Sequence, residues 1–253
     1  MFLDLFPIEI LVFSVTVTLI AGVVKGAIGF AMPLIMISGM GIVLEPRYVV
    51  AGIILPIVLS NLMQVLKAGL GEAKQAVKEY AIYIVIVCAM ILVTAQFLTV
   101  IPTSTMFLVL GIPVTILSAI QLAGLRVVIP PQKRKLGSVI AGFVSGSLGG
   151  LAGTWGPTTV LYLVAVETPK AKQIVVQGVV YGLGAVMLLA GHLNSGVLNK
   201  DTAPFSALLL VPAFVGMWIG FRIQDRIDQD MFRKATLFVL FLAGLNLIRR
   251  GLF

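Results

Sequence analysis

Long apolar segments, separated by short polar links, follow one another along the 253-residue chain. Several of them run for 18 residues or more without a charged side chain, which is long enough for a membrane-spanning helix. Such runs suit helices rather than barrel strands. We therefore predict an all-α polytopic membrane protein. Its eight segments lie at about 8–44, 48–66, 80–100, 104–125, 137–166, 173–192, 204–221 and 235–248.

The pattern of segment lengths repeats in the two halves of the chain. Each half opens with a segment too long for a single crossing and continues with three of ordinary length. The glycine-spaced sequences AGVVKGAIG at 21–29 and AGFVSGSLG at 141–149 lie in the two long segments, 120 residues apart. This self-similarity predicts two four-segment repeats. The predicted division is a first membrane repeat at 1–126, a cytoplasmic linker at 127–136 and a second membrane repeat at 137–253.

Each long segment contains residues that disfavour a continuous helix. Glycine weakens a helix, and proline removes one of its backbone hydrogen bonds. We therefore expect each segment to break and turn back, either as a full hairpin or as a re-entrant pair. Close helix packing is the favoured role for Gly22 and Gly142. The break is the favoured role for Gly26, Gly29, Gly146 and Gly149.

The composition excludes a water-soluble fold. Hydrophobic residues make up 59% of the chain and charged residues 11%, against about 25% charged residues in soluble domains. The net charge is +8, but most Lys and Arg residues lie in the short links, so they indicate orientation in a membrane. The chain has no motif typical of nucleic-acid binding, and we expect no nucleic-acid partner.

The distribution of basic residues favours an inverted repeat. If both long segments enter and leave on the same side, the links 67–79, 126–136, 167–172 and 222–234 share one side and hold thirteen basic residues, against four on the other. Basic residues favour the cytoplasm, so these links are predicted to be cytoplasmic in a cell (plasma or inner) membrane. The second half would then enter the bilayer from the opposite side, as in many secondary transporters.

The predicted breaks are suited to binding an anion. A broken helix needs protein or a polar cavity around it, and helix N-termini attract anions. Hydroxyl groups near the second break, including Thr159, and the amides in the other spans would complete the site. No Asp or Glu lies in the middle of a span, which also fits an anionic substrate. The candidate substrate-binding residues are Lys25, Gly26, Gly29, Asn61, Gln64, Ser145, Gly146, Ser147, Gly149, Gly153, Thr154, Trp155, Thr158 and Gln177.

Simpler roles remain open for several of these residues. Lys25 would merely snorkel if the break lies at the cytoplasmic tip of the hairpin. Asn61, Gln64 and Gln177 would otherwise form hydrogen bonds between helices. The chain lacks a phosphate-binding loop and the HExxH and GxSxG motifs, so we expect no enzyme, no metal site and no cofactor. Coupling to protons or another ion and assembly as a homodimer are left open.

The order of the motifs resembles the sulfite exporter TauE/SafE family of membrane permeases. The resemblance lies in AGVVKGAIGFAMPLI (21–35), GSVIAGFVSGSLGGLAGTWGPTTVLYL (137–163), ETPKAK (167–172) and the tail at 215–248, and so covers nearly the whole chain. It implies a transporter, often an exporter, of small sulfur-containing anions such as sulfite, thiosulfate or organosulfonates. Alternating access is the expected mechanism, and a passive anion channel is the alternative.

The second glycine cluster departs from the family pattern. It reads GGLAGTWGP, where many relatives have a run of adjacent glycines before the proline. Thr154 and Trp155 would reshape the cavity there. This departure is compatible with a larger or partly organic anion.

Overall fold

The computed structural model describes residues 6–94, 103–125, 127–152, 155–194 and 198–252. Twelve α-helices lie within these ranges, together with a 3₁₀ turn at Pro131–Lys133. They are α1 Ile8–Ile28, α2 Met32–Met40, α3 Pro46–Ala68, α4 Leu70–Glu79, α5 Ala81–Thr94, α6 Thr103–Leu122, α7 Arg134–Ala152, α8 Gly156–Ala165, α9 Lys170–Asn194, α10 Ala203–Leu208, α11 Leu210–Arg226 and α12 Gln229–Leu252.

Several of these helices can cross a membrane. Among the described residues, four stretches are long and apolar enough: Ile8–Ile28, Tyr48–Ala68, Ala203–Arg226 and Gln229–Leu252. Helices α4 and α5, which meet at an angle of 81°, add a fifth if the bent pair is one span. The predicted class, an all-α multi-pass membrane protein, is confirmed.

The helices form two compact units, each of which contains helices from both predicted repeats. The first unit comprises residues 1–70 and 177–227, and the second comprises 71–176 and 228–253. In the first unit α1 packs along α11, with α2 and α3 beside α1. In the second unit α7 packs along α5, and α6 packs along α12.

The first long segment breaks where glycine chemistry predicts. Helix α1 ends at Gly29, whose φ of 90° lies in the left-handed region that favours glycine. Ala31, with φ of 74°, also leaves the helical region, and α2 begins at Met32 with Pro33 in its first turn. Proline is well tolerated there because its missing N–H would have no partner within the helix. The predicted break and the role of Gly29 in it are confirmed.

Beyond this break the chain turns back along itself. Gly39 of α2 lies against the Val17 side chain of α1. The ring of Phe6, which precedes α1, lies 4.9 Å from the ring of Tyr48, in the first turn of α3. The chain therefore returns to the level from which it started, and the segment is a hairpin with its tip at residues 29–31.

The second break comes about one helical turn later than the repeated glycines predict. Helix α7 continues through Gly149 to Ala152, and α8 begins at Gly156, which is 124 residues after the start of α2 rather than 120. The prediction that Gly149 lies at the break is therefore wrong. Proline in the first turn of α8 fixes the break instead, since Pro157 also follows Pro33 by 124 residues. Two further predicted site residues, Gly153 and Thr154, lie outside the described residues.

The second long segment also turns back. The Ser138 hydroxyl of α7 lies 2.7 Å from the Tyr162 hydroxyl of α8. The N–H of Ile129, before α7, donates a hydrogen bond of 2.8 Å to the carbonyl of Ala165 at the end of α8. The start and the end of this segment are thus neighbours, as they are in the first.

Gly26 serves helix packing and not the break. A Cβ at this position would lie 2.5 Å from the Met217 carbonyl oxygen and 2.9 Å from the Gly220 Cα, both in α11. Gly22 faces the same helix through Ala213 and Gly216. Two small-residue faces thus let α1 and α11 approach closely, as is common in membranes. The predicted packing role of Gly22 is confirmed, and the predicted break at Gly26 is wrong.

Gly146 has the equivalent role in the second unit. A Cβ there would lie 2.6 Å from the Val87 carbonyl oxygen and from the Met90 Cβ of α5. Gly142 faces the same helix at Tyr83 and Ile86. Helix α7 is continuous through both glycines, and α5 occupies the space that side chains at these positions would need. The packing role predicted for Gly142 is confirmed, and the break predicted at Gly146 is wrong.

The four basic links meet at one end of the second unit. Glu79 in the first link forms ion pairs with Arg134 in the second, at 3.6 Å, and with Lys172 in the third, at 2.5 Å. The Lys170 N–H of the third link donates to the Gln229 side chain of the fourth. These contacts bring together the four links that the count of basic residues assigns to one side.

Candidate functional site

A buried lysine lies near the tip of the first hairpin. Lys25 in the last turn of α1 is only 2% exposed. Its Nζ donates a hydrogen bond of 2.7 Å to Oδ1 of Asn61 in α3 and lies 5.6 Å from the centroid of the Tyr181 ring in α9. Among the residues that the structure describes, no carboxylate forms an ion pair with it. A buried ammonium group is costly without a counter-ion.

The helix end beside Lys25 is held by a second amide of α3. The Gly29 N–H donates to the Lys25 carbonyl at 2.6 Å and closes the last turn of α1. The Gln64 Nε2 donates to the Gly29 carbonyl at 2.9 Å. Asn61 and Gln64 are three residues apart and therefore lie on the same face of α3. One face of α3 thus contacts both the lysine and the break.

Each of these two amides retains one polar atom that bonds to no other described residue. The atoms are Nδ2 of Asn61 and Oε1 of Gln64, and both side chains are 1% exposed. Buried polar groups in folded proteins normally have hydrogen-bond partners. A donor on Asn61, which contacts Lys25, and an acceptor on Gln64, which contacts the end of α1, are therefore available in this cluster.

Helix α9 closes the cluster with small residues and one amide. Oε1 of Gln177 occupies the place that a Cβ at Gly29 would take, so both the backbone conformation and the close contact require glycine there. Gly178 and Gly182 face Gln64 and Asn61, and a Cβ at these positions would lie 3.1 Å and 3.7 Å from the Cβ atoms of those residues. Helix α9 thus approaches the two amides closely through its glycines.

The hydroxyl groups predicted at the second break form a separate cluster in the second unit. The Tyr83 hydroxyl of α5 lies 3.0 Å from the Ser145 Oγ of α7 and 2.8 Å from the Thr159 Oγ1 of α8. Thr159 also donates to the carbonyl of Trp155, which precedes α8, at 2.7 Å. These bonds connect the hairpin α7–α8 to α5, so the Ser145 hydroxyl already has a structural partner.

The other predicted residues near the second break have mixed environments. The Ser147 Oγ is buried and has no partner among the described residues. Thr158 donates to the Trp155 carbonyl and, with Ser145, lines a mostly apolar cleft of about 480 Å³. The candidate residues thus form two groups. Lys25, Gly29, Asn61, Gln64 and Gln177 come together in the first unit, whereas Ser145, Ser147, Trp155 and Thr158 lie in the second.

Two tyrosines in these clusters were not predicted as site residues. Tyr83 and Tyr181 lie within apolar segments and contribute to the hydrophobic pattern there. A buried tyrosine usually directs its hydroxyl to a polar partner, and its ring can lie beside a cation. A tyrosine within an apolar segment is therefore a signal that could have pointed to both clusters.

Comparison with known proteins gives one family. A family model described as Sulfite exporter TauE/SafE matches residues 14–247. No curated protein matches the chain. No solved structure matches it.

Proposed function

Because the chain belongs to the sulfite exporter TauE/SafE family, we propose that it is a secondary transporter of small sulfur-containing anions, working as an exporter. Sulfite, thiosulfate and organosulfonates are the proposed substrate class. The family points to membrane transport rather than to catalysis. Alternating access is the proposed mechanism.

The observation that carries this proposal is the buried charge of Lys25. An ionisable side chain inside a membrane segment marks a functional site by default, because a buried charge is costly in the bilayer. Lys25 is surrounded by amides and an aromatic ring rather than by carboxylates. A small oxyanion would supply the missing counter-charge and accept hydrogen bonds from the Lys25 ammonium and from Asn61 Nδ2.

The packing of the helices supports an inverted repeat. In the first unit α1 packs on α11, and in the second α7 packs on α5. Under the repeat, α7 corresponds to α1 and α5 corresponds to α11, so each broken hairpin packs on the corresponding helix from the other half. The starts of α2 and α8, and those of α3 and α9, are each 124 residues apart. Such inverted repeats are the usual basis of alternating access.

Counterflow in proteoliposomes tests transport and its mechanism together. Vesicles containing the purified chain and a high concentration of unlabelled sulfite are diluted into labelled sulfite. We expect labelled sulfite to accumulate transiently, because a carrier exchanges one bound anion for another. Uptake without stimulation by internal sulfite would indicate a passive channel. No uptake above that of protein-free vesicles, for sulfite, thiosulfate or any sulfonate, would contradict the proposed function.

The orientation of the basic links can be tested with single cysteines. In a Cys88→Ala background, we expect an impermeant maleimide to label Ile42→Cys and Lys200→Cys in intact cells. Lys74→Cys and Lys135→Cys are expected to react only in inverted vesicles, because basic links favour the cytoplasm. All four native side chains are exposed. Labelling of Lys74→Cys or Lys135→Cys in intact cells would contradict both the cytoplasmic location and the inverted repeat derived from it.

A further inference from the structure

We infer that the Lys25 site selects a singly charged oxyanion that also carries its own O–H or N–H donor. This inference rests on the proposed function and specifies which anions the site prefers. It follows from the polar atoms that the cluster leaves for a ligand. These atoms are one ammonium group, one amide donor and one amide acceptor.

The orientation of the Asn61 amide is fixed by the lysine. A lysine ammonium group can only donate hydrogen bonds, so the Asn61 atom 2.7 Å from the Lys25 Nζ must be the oxygen. The remaining atom of the Asn61 amide is therefore the nitrogen, a donor. Together with the ammonium group, this donor offers hydrogen bonds to the oxygens of an anion.

The orientation of the Gln64 amide is fixed by the helix break. The Gly29 carbonyl can only accept, so the Gln64 atom 2.9 Å from it must be the nitrogen. The remaining Gln64 atom is therefore the oxygen, an acceptor that has no partner among the described residues. An oxyanion without hydrogen would place its lone pairs against this oxygen. A ligand with an O–H or N–H group would satisfy it.

The net charge of the cluster favours a monoanion. Lys25 supplies one positive charge, and no described carboxylate forms an ion pair with it. A monoanion neutralises this charge, whereas a dianion leaves one negative charge buried. Hydrogensulfite and sulfamate meet both requirements. Within the proposed substrate class, thiosulfate is expected to bind more weakly because of its second negative charge, and simple alkanesulfonates because they lack the donor.

Sulfamate and methanesulfonate provide a matched pair of ligands. Both are monoanions of nearly the same size and shape, and they differ by an amino group in place of a methyl group. We expect the purified full-length protein to bind sulfamate at least about tenfold more tightly than methanesulfonate in calorimetry at one pH and ionic strength. The reason is that methanesulfonate leaves the buried Gln64 oxygen unpaired.

Substitution of Gln64 tests whether this residue causes the preference for sulfamate over methanesulfonate. We expect Gln64→Leu to bring the affinities for the two anions to within about twofold of each other, because the acceptor is gone. Gln121→Leu is the matched control, since Gln121 is another buried glutamine and accepts a hydrogen bond from Arg233 in the second unit. We expect this control to retain the preference for sulfamate.

The outcomes separate this inference from the proposed function. Equal binding of the two anions by the unchanged protein would overturn the inference and leave the proposed function standing, and this result does not depend on any variant folding. A preference for sulfamate that persists in Gln64→Leu would overturn the assignment to Gln64. If neither anion binds and hydrogensulfite does not bind either, the proposed site in the first unit is itself wrong.

Discussion

Replacing Lys25 with methionine is expected to lower the affinity for sulfite about a hundredfold and to leave folded protein in the membrane. A hydrogen bond to a charged group contributes up to about 3 kcal/mol, which corresponds to roughly a hundredfold in affinity. Methionine fills a similar volume without a charge. The protein should still fold, because the lost cost of burying a lysine near a helix centre, about 2.5–3.5 kcal/mol on insertion scales, offsets the cost of the Asn61 oxygen that loses its donor. Calorimetry and counterflow measure the loss.

Lys67→Met is the matched control for this substitution. Lys67 lies in the same unit, where its Nζ pairs with Asp225 at 2.7 Å, and its side chain is 30% exposed. It lies near the end of α3, the helix that carries Asn61 and Gln64, but the Asp225 carboxylate already neutralises its charge. We expect its replacement to leave sulfite affinity within about twofold of the unchanged protein. Unchanged affinity in Lys25→Met itself would mean that Lys25 has no part in binding.

The burial of Lys25 argues against the alternative in which it merely snorkels. A snorkelling lysine extends its ammonium group to the water interface. The Lys25 ammonium group instead points at Asn61, and α3 continues for four residues, or about 6 Å, beyond Gln64. The tip of the hairpin therefore stops about 6 Å short of the end of α3 and does not extend past it. This position supports a role in binding.

The hairpins could be predicted from the sequence because the reasons for them are local. An apolar segment such as 8–44 exceeds the thickness of a bilayer, and Gly29 and Pro33 are unfavourable inside a helix whatever surrounds them. The exact end of α7 is different. Whether Gly146 interrupts a helix depends on the helix that packs against it, and the sequence does not show that α5 lies there.

Most residues of the candidate site could be predicted from the sequence, but the contacts between them could not. Lys25, Asn61 and Gln64 could be selected from the sequence because polar residues are rare in the apolar segments and costly in a bilayer. Their pairing could not be predicted. It depends on how α1 lies against α3 after the chain turns at Gly29 and Ala31, both of which have positive φ. Tyr181 joins the cluster only because α9 passes the same point.

Replacing Gly220 with leucine is expected to remove most of the folded protein from the membrane. A Cβ at this position would lie 2.7 Å from the Gly26 Cα and 2.8 Å from the Ala27 nitrogen. These are backbone atoms, so no side chain can move aside to make room. Overpacking of this kind costs about 3 kcal/mol or more, since the two helices must separate along their contact. The yield of monodisperse protein in mild detergent and its thermal unfolding measure the effect.

Gly71→Leu is the control, because a Cβ at Gly71 in α4 would meet no atom within 4 Å. We expect this variant to be as stable as the unchanged protein. Normal yield and unfolding of Gly220→Leu would contradict the close contact between α1 and α11.

The same contact matters for binding, since α1 carries Lys25 one residue before the packing glycine Gly26. A helix held this closely cannot rotate without moving Lys25 away from Asn61. Gly220→Ala, the smallest increase in size, should therefore lower sulfite affinity in whatever protein still folds.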